Sequence, residues 1–274
     1  MAATPSPLIR HKRLGSELRA LREQARLTCD EVGQRLDCSG TRISRIETGR
    51  IRARPGDVRE LLEVYGVTGT DAERLVQLAR EARHRGWWQA YGPVVPPWRE
   101  PYLSLETDAA NVRAFAPGGL PGLVQTEDYA RSLPGATDRQ LVLLRERQAR
   151  LLRPGPPHLT LVLGEAALHG EVGGTAVLRD QLRHLLTLAG HPAVTLQVLP
   201  LRSAALVRAG GPFLLVEFGD PAVPAAVYLE YLTGGLVLDT ADEVGRYVAA
   251  FTELHAEALG AAESAGLIRA LVAE

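Results

Sequence analysis

Between Ser39 and Glu47 the chain reads Ser-Gly-Thr-Arg-Ile-Ser-Arg-Ile-Glu, a stretch whose polar residues are of the kinds that bond to base edges and phosphates. Ile43 and Ile46, three apart, share one face of a helix, and Ser39 is placed to cap its start by accepting from a free backbone N–H. That leaves Thr41, Arg42 and Arg45 on other faces, where they are free to reach bases or phosphates. So short a helix cannot stand alone, and its neighbours must hold it.

Those neighbours are legible. Leu14, Leu18, Leu21 and Ala25 recur at helical spacing, with Arg19, Arg22 and Glu23 expected to face outward. Thr28 followed three residues later by Glu31 is a capping box, so a second helix starts there, with Val32 and Leu36 buried. Gly33 between them presents no side chain, which would let another helix cross close by. Asp37-Cys38 supplies the turn, and two short helices joined so tightly form a helix-turn-helix. Gly49 is expected in a left-handed position closing the reading helix. A basic loop of Arg50, Arg52 and Arg54 follows, and Pro55 opens a helix carrying Val58, Leu61, Leu62 and Tyr65. Thr70 to Arg83 is a further helix, belonging either to this bundle or to a link.

Leu14 to Val67 resembles the Xre/Cro/C1-type repressor DNA-binding domain, through Leu27-Thr28, Ile43-Ser44-Arg45-Ile46-Glu47-Thr48-Gly49 and Pro55. The resemblance implies that Thr41, Arg42 and Arg45 face base edges, while Thr28, Ser44 and Arg50 lie near phosphates, with Ser39 at the helix start. Three positions depart from that pattern. Gly33 stands where the family usually has Ala, at an expected cost of roughly 1 kcal/mol in a helix interior. Asp37 replaces the usual turn Gly, and Cys29 replaces a frequent phosphate-contacting Gln.

Charge agrees with a nucleic-acid reader on a body with another partner. Residues 1–85 hold 17 Lys+Arg against 12 Asp+Glu, and the remainder holds 14 against 20. No apolar run approaches the ~18 residues that a membrane span needs, and the N-terminus lacks a signal-peptide pattern, so a cytoplasmic protein is expected. The 2 cysteines, Cys29 and Cys38, are too far apart along the chain for a disulfide within helical geometry, and Cys38 reads as core filler.

Gly86 to Tyr102 gathers Trp87, Trp88, Trp98, Tyr91, Tyr102 and four prolines, excludes a continuous helix, and either anchors the second domain or lines a partner site. Beyond it, Thr126 is a possible cap, and Leu141 to Leu152 reads as a helix with Arg145, Arg147, Arg150 and Arg153. Helices are expected at Glu165 to His169, Ala176 to Leu188 and Ala241 to Leu259, with Ser264 capping a last one. Strands are expected at Leu159 to Leu163, Val194 to Leu199, Phe213 to Phe218, Ala225 to Tyr231 and Leu236 to Leu238, with Gly234-Gly235 as the hairpin turn. The expected fold is an all-α N-terminal helix-turn-helix bundle plus a C-terminal α+β domain with a mostly antiparallel sheet. The expected division is a flexible arm at 1–13, the DNA-binding domain at 14–69, a linker helix and aromatic connector at 70–102, and a regulatory domain at 103–274.

From about Trp87 onward the chain is similar to the actinobacterial domain of unknown function that follows Xre-type readers, known from WhiJ-type regulators and from antitoxins of toxin–antitoxin pairs. The matching runs include Pro121 to Ala130, Arg145-Glu146-Arg147-Gln148, Gly164 to Leu168 and Val227-Tyr228-Leu229-Glu230. The resemblance implies regulation, commonly with a small partner protein encoded nearby. Trp87, Trp88, Gln125, Tyr129, Arg147 and Glu165 are the candidates for contact with that partner or with an effector.

Catalysis finds no candidate centre. Glu165 and His169 are four apart, but no third metal ligand accompanies them and no His-Glu-x-x-His occurs. There is no phosphate-binding Gly-Lys-Ser/Thr loop and no Gly-x-Ser-x-Gly elbow, so neither an enzyme nor a cofactor or metal is expected. The expected function is sequence-specific binding of double-stranded DNA by a homodimer whose C-terminal domain takes a partner protein or effector. An antitoxin that represses its own operon and a small-molecule-sensing repressor are the alternatives.

Overall fold

Ser6 accepts a hydrogen bond from the Ile9 amide and Pro7 follows at the first helical position, so helix α1 (Pro7–Gln24) starts well before Leu14. The computed structural model describes residues 6–151, 155 and 157–273. Residues 7–13 of the expected arm are therefore helical, with Ile9, Arg10, His11 and Lys12 buried, and 1–5 lie outside the described residues. An apolar stripe that begins at Leu14 hid this first stretch, where polar side chains are buried by pairing instead.

Helices α2 (Cys29–Arg35), α3 (Gly40–Glu47), α4 (Pro55–Tyr65) and α5 (Gly69–Glu81) complete the bundle. Thr28 and Glu31 form the capping box, and Asp37 takes the left-handed turn position at φ 50°. Leu14, Leu18, Val32, Ile43, Ile46, Val58, Leu61, Leu62, Leu75 and Ala79 share one core. Cys29 and Cys38 are free thiols packed against its edge.

Two compact units divide the chain. The first is Met1–Gln89 with Leu103–Asp108 and Phe218–Pro224 added from far along the sequence. Within it the Ser6 amide donates to Asp108 at 2.6 Å, and Arg13 pairs with Asp220 at 3.3 Å. The second unit is Ala90–Tyr102, Ala109–Glu217 and Ala225–Glu274. The aromatic and proline-rich stretch forms short 3-10 turns at Trp87–Val94 and Pro97–Arg99, after which helix α6 (Glu100–Asp108) begins.

Strand β1 (Ala109–Ala116) follows, then α7 (Glu127–Arg131), α8 (Asp138–Leu151), β2 (His158–Gly164), α9 (Thr175–Ala189), β3 (Val194–Leu199) and α10 (Ala205–Arg208). The chain closes with β4 (Phe213–Phe218), β5 (Ala226–Tyr231), β6 (Gly234–Leu238), α11 (Ala241–Glu257) and α12 (Ala261–Ala273). Leu152 and Arg153, expected to end the α8 helix, lie outside the described residues.

The second unit is α+β, built on a six-stranded mixed sheet in the order β3-β2-β1-β4-β5-β6. Strands β4, β5 and β6 pair antiparallel as expected, whereas β1, β2 and β3 pair parallel, since helical crossovers join them. β1 itself was not expected from sequence; its register sets Asn111 beside His158 and Ala116 beside Leu163. Side-chain alternation sends Val112, Ala114, Leu161 and Val198 toward α9 and α12, and Phe115, Val162, Phe213 and Val227 toward α11. The sheet is thus covered on both faces.

The β5–β6 turn is Leu232-Thr233 rather than Gly234-Gly235. Both glycines lie in β6, where a Cβ would collide with the rings of Tyr231 and Tyr228. Ser264 does not cap α12. It is fully buried within that helix, where its hydroxyl accepts from the Val198 amide at 2.9 Å and donates to the Leu259 carbonyl.

Candidate nucleic-acid interface

Helix α3 is held from behind by contacts that leave its front free. Gly15 of α1 sits against the backbone carbonyls of Ile46 and Glu47, so closely that any Cβ there would strike the Glu47 oxygen. Arg22, expected to face outward, instead turns in. Its Nε and Nη2 donate to the two carboxylate oxygens of Glu47 at 2.7 and 2.9 Å, and its Nη1 donates to the Leu27 carbonyl at 2.8 Å. This planar fork is the geometry that binds a carboxylate at two points. The hydrogen bond to Glu47 raises the Arg22 pKa, and burial, before the nearby Glu47 charge, pushes that of Tyr65 well up.

At its other end α3 starts on Ser39, whose hydroxyl accepts from the Arg42 amide at 3.2 Å. Gly33 lets the turn approach: a Cβ on it would lie 2.6 Å from the Cys38 carbonyl oxygen and 2.8 Å from the Gly40 nitrogen. Glycine at this position is a packing requirement, and the expectation of a merely weaker helix understated its role.

Gly40, Ile43, Ile46 and Glu47 form the buried side of α3. Thr41, Arg42, Ser44 and Arg45 are all exposed on the other side, as are Ser39, Thr28 and Arg50. Arg42 is steered by α4: its Nη2 lies 3.2 Å from Asp57, whose second oxygen accepts from the Arg54 amide at 3.0 Å. Arg50 opens an exposed basic loop with Arg52 and Arg54. That loop is tied to α1 by His11, whose Nε2 bonds the Ile51 carbonyl at 2.8 Å. Burial lowers the His11 pKa below its usual value, with the bond to Ile51 opposing and Arg52 adding to the fall. The Arg22–Glu47 and His11–Ile51 ties were the functional supports that sequence reasoning missed, and an Arg at the end of an apolar heptad is the only trace they leave.

The six candidates for a partner or effector are divided between the two units. In the first unit, Trp88 is buried and Trp87 donates to Thr107 at 3.0 Å. In the second, Gln125 donates to the Leu120 carbonyl at 2.7 Å, and Tyr129 is buried, which raises its pKa. Arg147 is buried as well, donating to the Tyr102 hydroxyl at 2.7 Å with its guanidinium over that ring. Gln125 and Arg147 line a common cavity of about 390 Å³. Glu165 lies apart, accepting from the Leu201 amide at 2.9 Å.

Sequence reasoning also missed Gln181, which is fully buried on α9. It accepts from the Thr126 amide at 2.6 Å and donates to the Val124 carbonyl at 2.7 Å, fixing the segment that walls this cavity. Its one sequence signal is a polar residue on an otherwise apolar helix face.

Among the described residues, no group of three or more potential ligands is placed to hold a metal ion, and no helix is long and apolar enough to cross a membrane. Two family models match the chain: one described as a helix-turn-helix domain over residues 13–75, and one described as a domain of unknown function (DUF5753) over residues 99–270. No curated protein and no solved structure matches.

Proposed function

We propose that this chain, which belongs to the family described as a domain of unknown function (DUF5753) and carries a helix-turn-helix domain ahead of it, is a sequence-specific transcription regulator of the Xre type whose C-terminal domain receives the controlling signal. The observation that carries this reading is the amphipathic build of α3: Ile43, Ile46 and Glu47 are buried, while Thr41, Arg42, Ser44 and Arg45 are exposed side by side. Such a helix presents base-reading groups to a major groove while its other side is clamped. One copy offers few contacts, so the functional form is a homodimer on two half-sites about 34 Å apart. The protein acts by binding and not by catalysis.

Selection from randomised duplexes with the full chain tests this. A two-fold symmetric site with half-sites one turn apart is expected, and affinity should fall steeply with salt as phosphate contacts release counterions. Failure to enrich any sequence would remove the reading.

A second reading, in which the body also captures a small partner protein as an antitoxin does, is favoured by one feature. The β5–β6 hairpin exposes Tyr231, Leu232 and Leu236, with Leu232 99% exposed. Co-expression with the product of the neighbouring gene checks it: rescue from toxicity that disappears with Leu232→Asp supports the antitoxin role, and the lack of any toxicity or rescue argues against it.

A further inference from the structure

The cavity of about 390 Å³ in the second unit is lined by Leu120, Leu133, Leu141 and Leu144 together with two arginines, Arg99 and Arg147. Its one acidic lining residue among those described is Glu230, which is exposed. Positive charge therefore predominates in a lining that mixes these leucines with the amides of Gln125 and Gln140.

The two guanidinium groups differ in how they are satisfied. Arg147 is 4% exposed and held in place, donating to the Tyr102 hydroxyl at 2.7 Å with its guanidinium carbon 5.1 Å from the centre of that ring. Arg99 has a buried Nε with no hydrogen-bond partner among the described residues. Tyr228 stacks on Tyr102 at 4.8 Å, and its buried hydroxyl also lacks a partner among the described residues. Burial, ahead of the Glu230 charge, pushes the Tyr228 pKa up to about 12, while Arg99 and Arg147 oppose the rise, which puts both arginines within electrostatic reach of this hydroxyl.

A buried guanidinium N–H without an acceptor is costly, and charged donors in apolar surroundings are ordinarily paired. Folding alone gives no reason to keep one here. Residues that destabilise a fold while converging on a cavity are what a preformed ligand site contains.

We propose that this cavity binds a small organic anion, with its carboxylate or phosphate group held between Arg99 and Arg147 and its apolar body against Leu120, Leu133, Leu141 and Leu144. The inference rests on the reading that the C-terminal domain receives a signal, and it names the chemistry of that signal. An apolar ligand alone leaves the Arg99 Nε without an acceptor, and a cation meets two like charges.

Calorimetric titration of the full chain with hexanoate, phenyl phosphate, hexylamine and hexanol tests this. One or both anions should bind at one site per chain, at least tenfold more tightly than hexanol or hexylamine, and the stronger of the two identifies the anionic group. Arg99→Gln should weaken that binding at least tenfold without lowering the thermal midpoint, because it removes a buried Nε that has no partner among the described residues. Leu133→Trp, which fills the cavity and keeps both arginines, should abolish binding. Anions that bind no better than hexanol, or binding that survives both substitutions, would overturn the proposal. Gel shifts on the same samples separate the two readings. An anion that binds its site but leaves operator affinity unchanged counts against the effector role and leaves the site standing, whereas a chain that selects no operator counts against the regulator reading alone.

Discussion

Arg22 on α1 and Glu47 at the last turn of α3 form a two-point ion pair, 2.7 and 2.9 Å long, with side chains only 11% and 3% exposed. It joins the helix that carries the candidate DNA contacts to the one whose backbone already abuts it at Gly15. Removing one member of a buried pair leaves the other charge without compensation, at about 3–5 kcal/mol. Glu47→Ala is therefore expected to lose that much unfolding free energy in urea, and to weaken operator binding by freeing the end of α3. A loss below about 1 kcal/mol would mean the pair is solvated in practice.

Arg42 is expected to behave in the opposite way. Its bond to Asp57 is half exposed, and exposed pairs contribute about 0–1 kcal/mol. Arg42→Ala should leave the denaturation midpoint nearly unchanged while relaxing base preference at one position of each half-site, by about 1–3 kcal/mol. Equal weakening on operator and random DNA would reassign Arg42 to a phosphate.

Gly33→Ala tests packing against propensity. Alanine is favoured over glycine by about 1 kcal/mol in a helix interior. Here the added methyl meets the Cys38 carbonyl oxygen at 2.6 Å and the Gly40 nitrogen at 2.8 Å, both backbone atoms that cannot swing aside. The variant should be destabilised, with a lower thermal midpoint; a higher one would show that the turn yields.

His11 gives the reader unit an acid sensitivity. Burial holds its folded pKa below the unfolded value of 6.5, so the unfolded chain binds the proton more readily. Stability from neutral His11 is complete above about pH 6.5 and is lost as the pH falls through the folded value. Urea denaturation of wild type and His11→Gln between pH 5 and 8 should show a smaller loss on acidification in the variant. Parallel curves would assign the slope to other groups, such as His184, whose pKa burial also lowers.

What could be read from the sequence follows how local the signals are. The capping box at Thr28, the Ser39 cap and the Ile43 and Ile46 spacing each act within four residues, so the helix-turn-helix was legible almost residue by residue. The parallel half of the sheet was not, because its pairing is set by crossovers and β1 carries Asn111 and Arg113 within its run. Arg113 is tolerated there because it pairs with Glu217 on β4 at 3.1 Å, a partner 104 positions away. Arg22, Gln181 and Ser264 escaped for the same reason: each is held by a partner elsewhere in the chain, and its type alone reads as surface. The cavity arginine Arg99 is the single basic residue within a stretch dominated by aromatic and proline residues, and no local spacing marks it.

The first compact unit is not one continuous length of chain, since Leu103–Asp108 and Phe218–Pro224 belong to it. Anyone wishing to transplant the reader into another protein must therefore bring along more than its opening segment. A graft stopping at Gln89 would strand the Ser6 amide, which leans on Asp108, and would leave Arg13 with Glu17 but without Asp220. Recombination that swaps readers between bodies would face the same constraint, and should leave compatible residues at both returning segments.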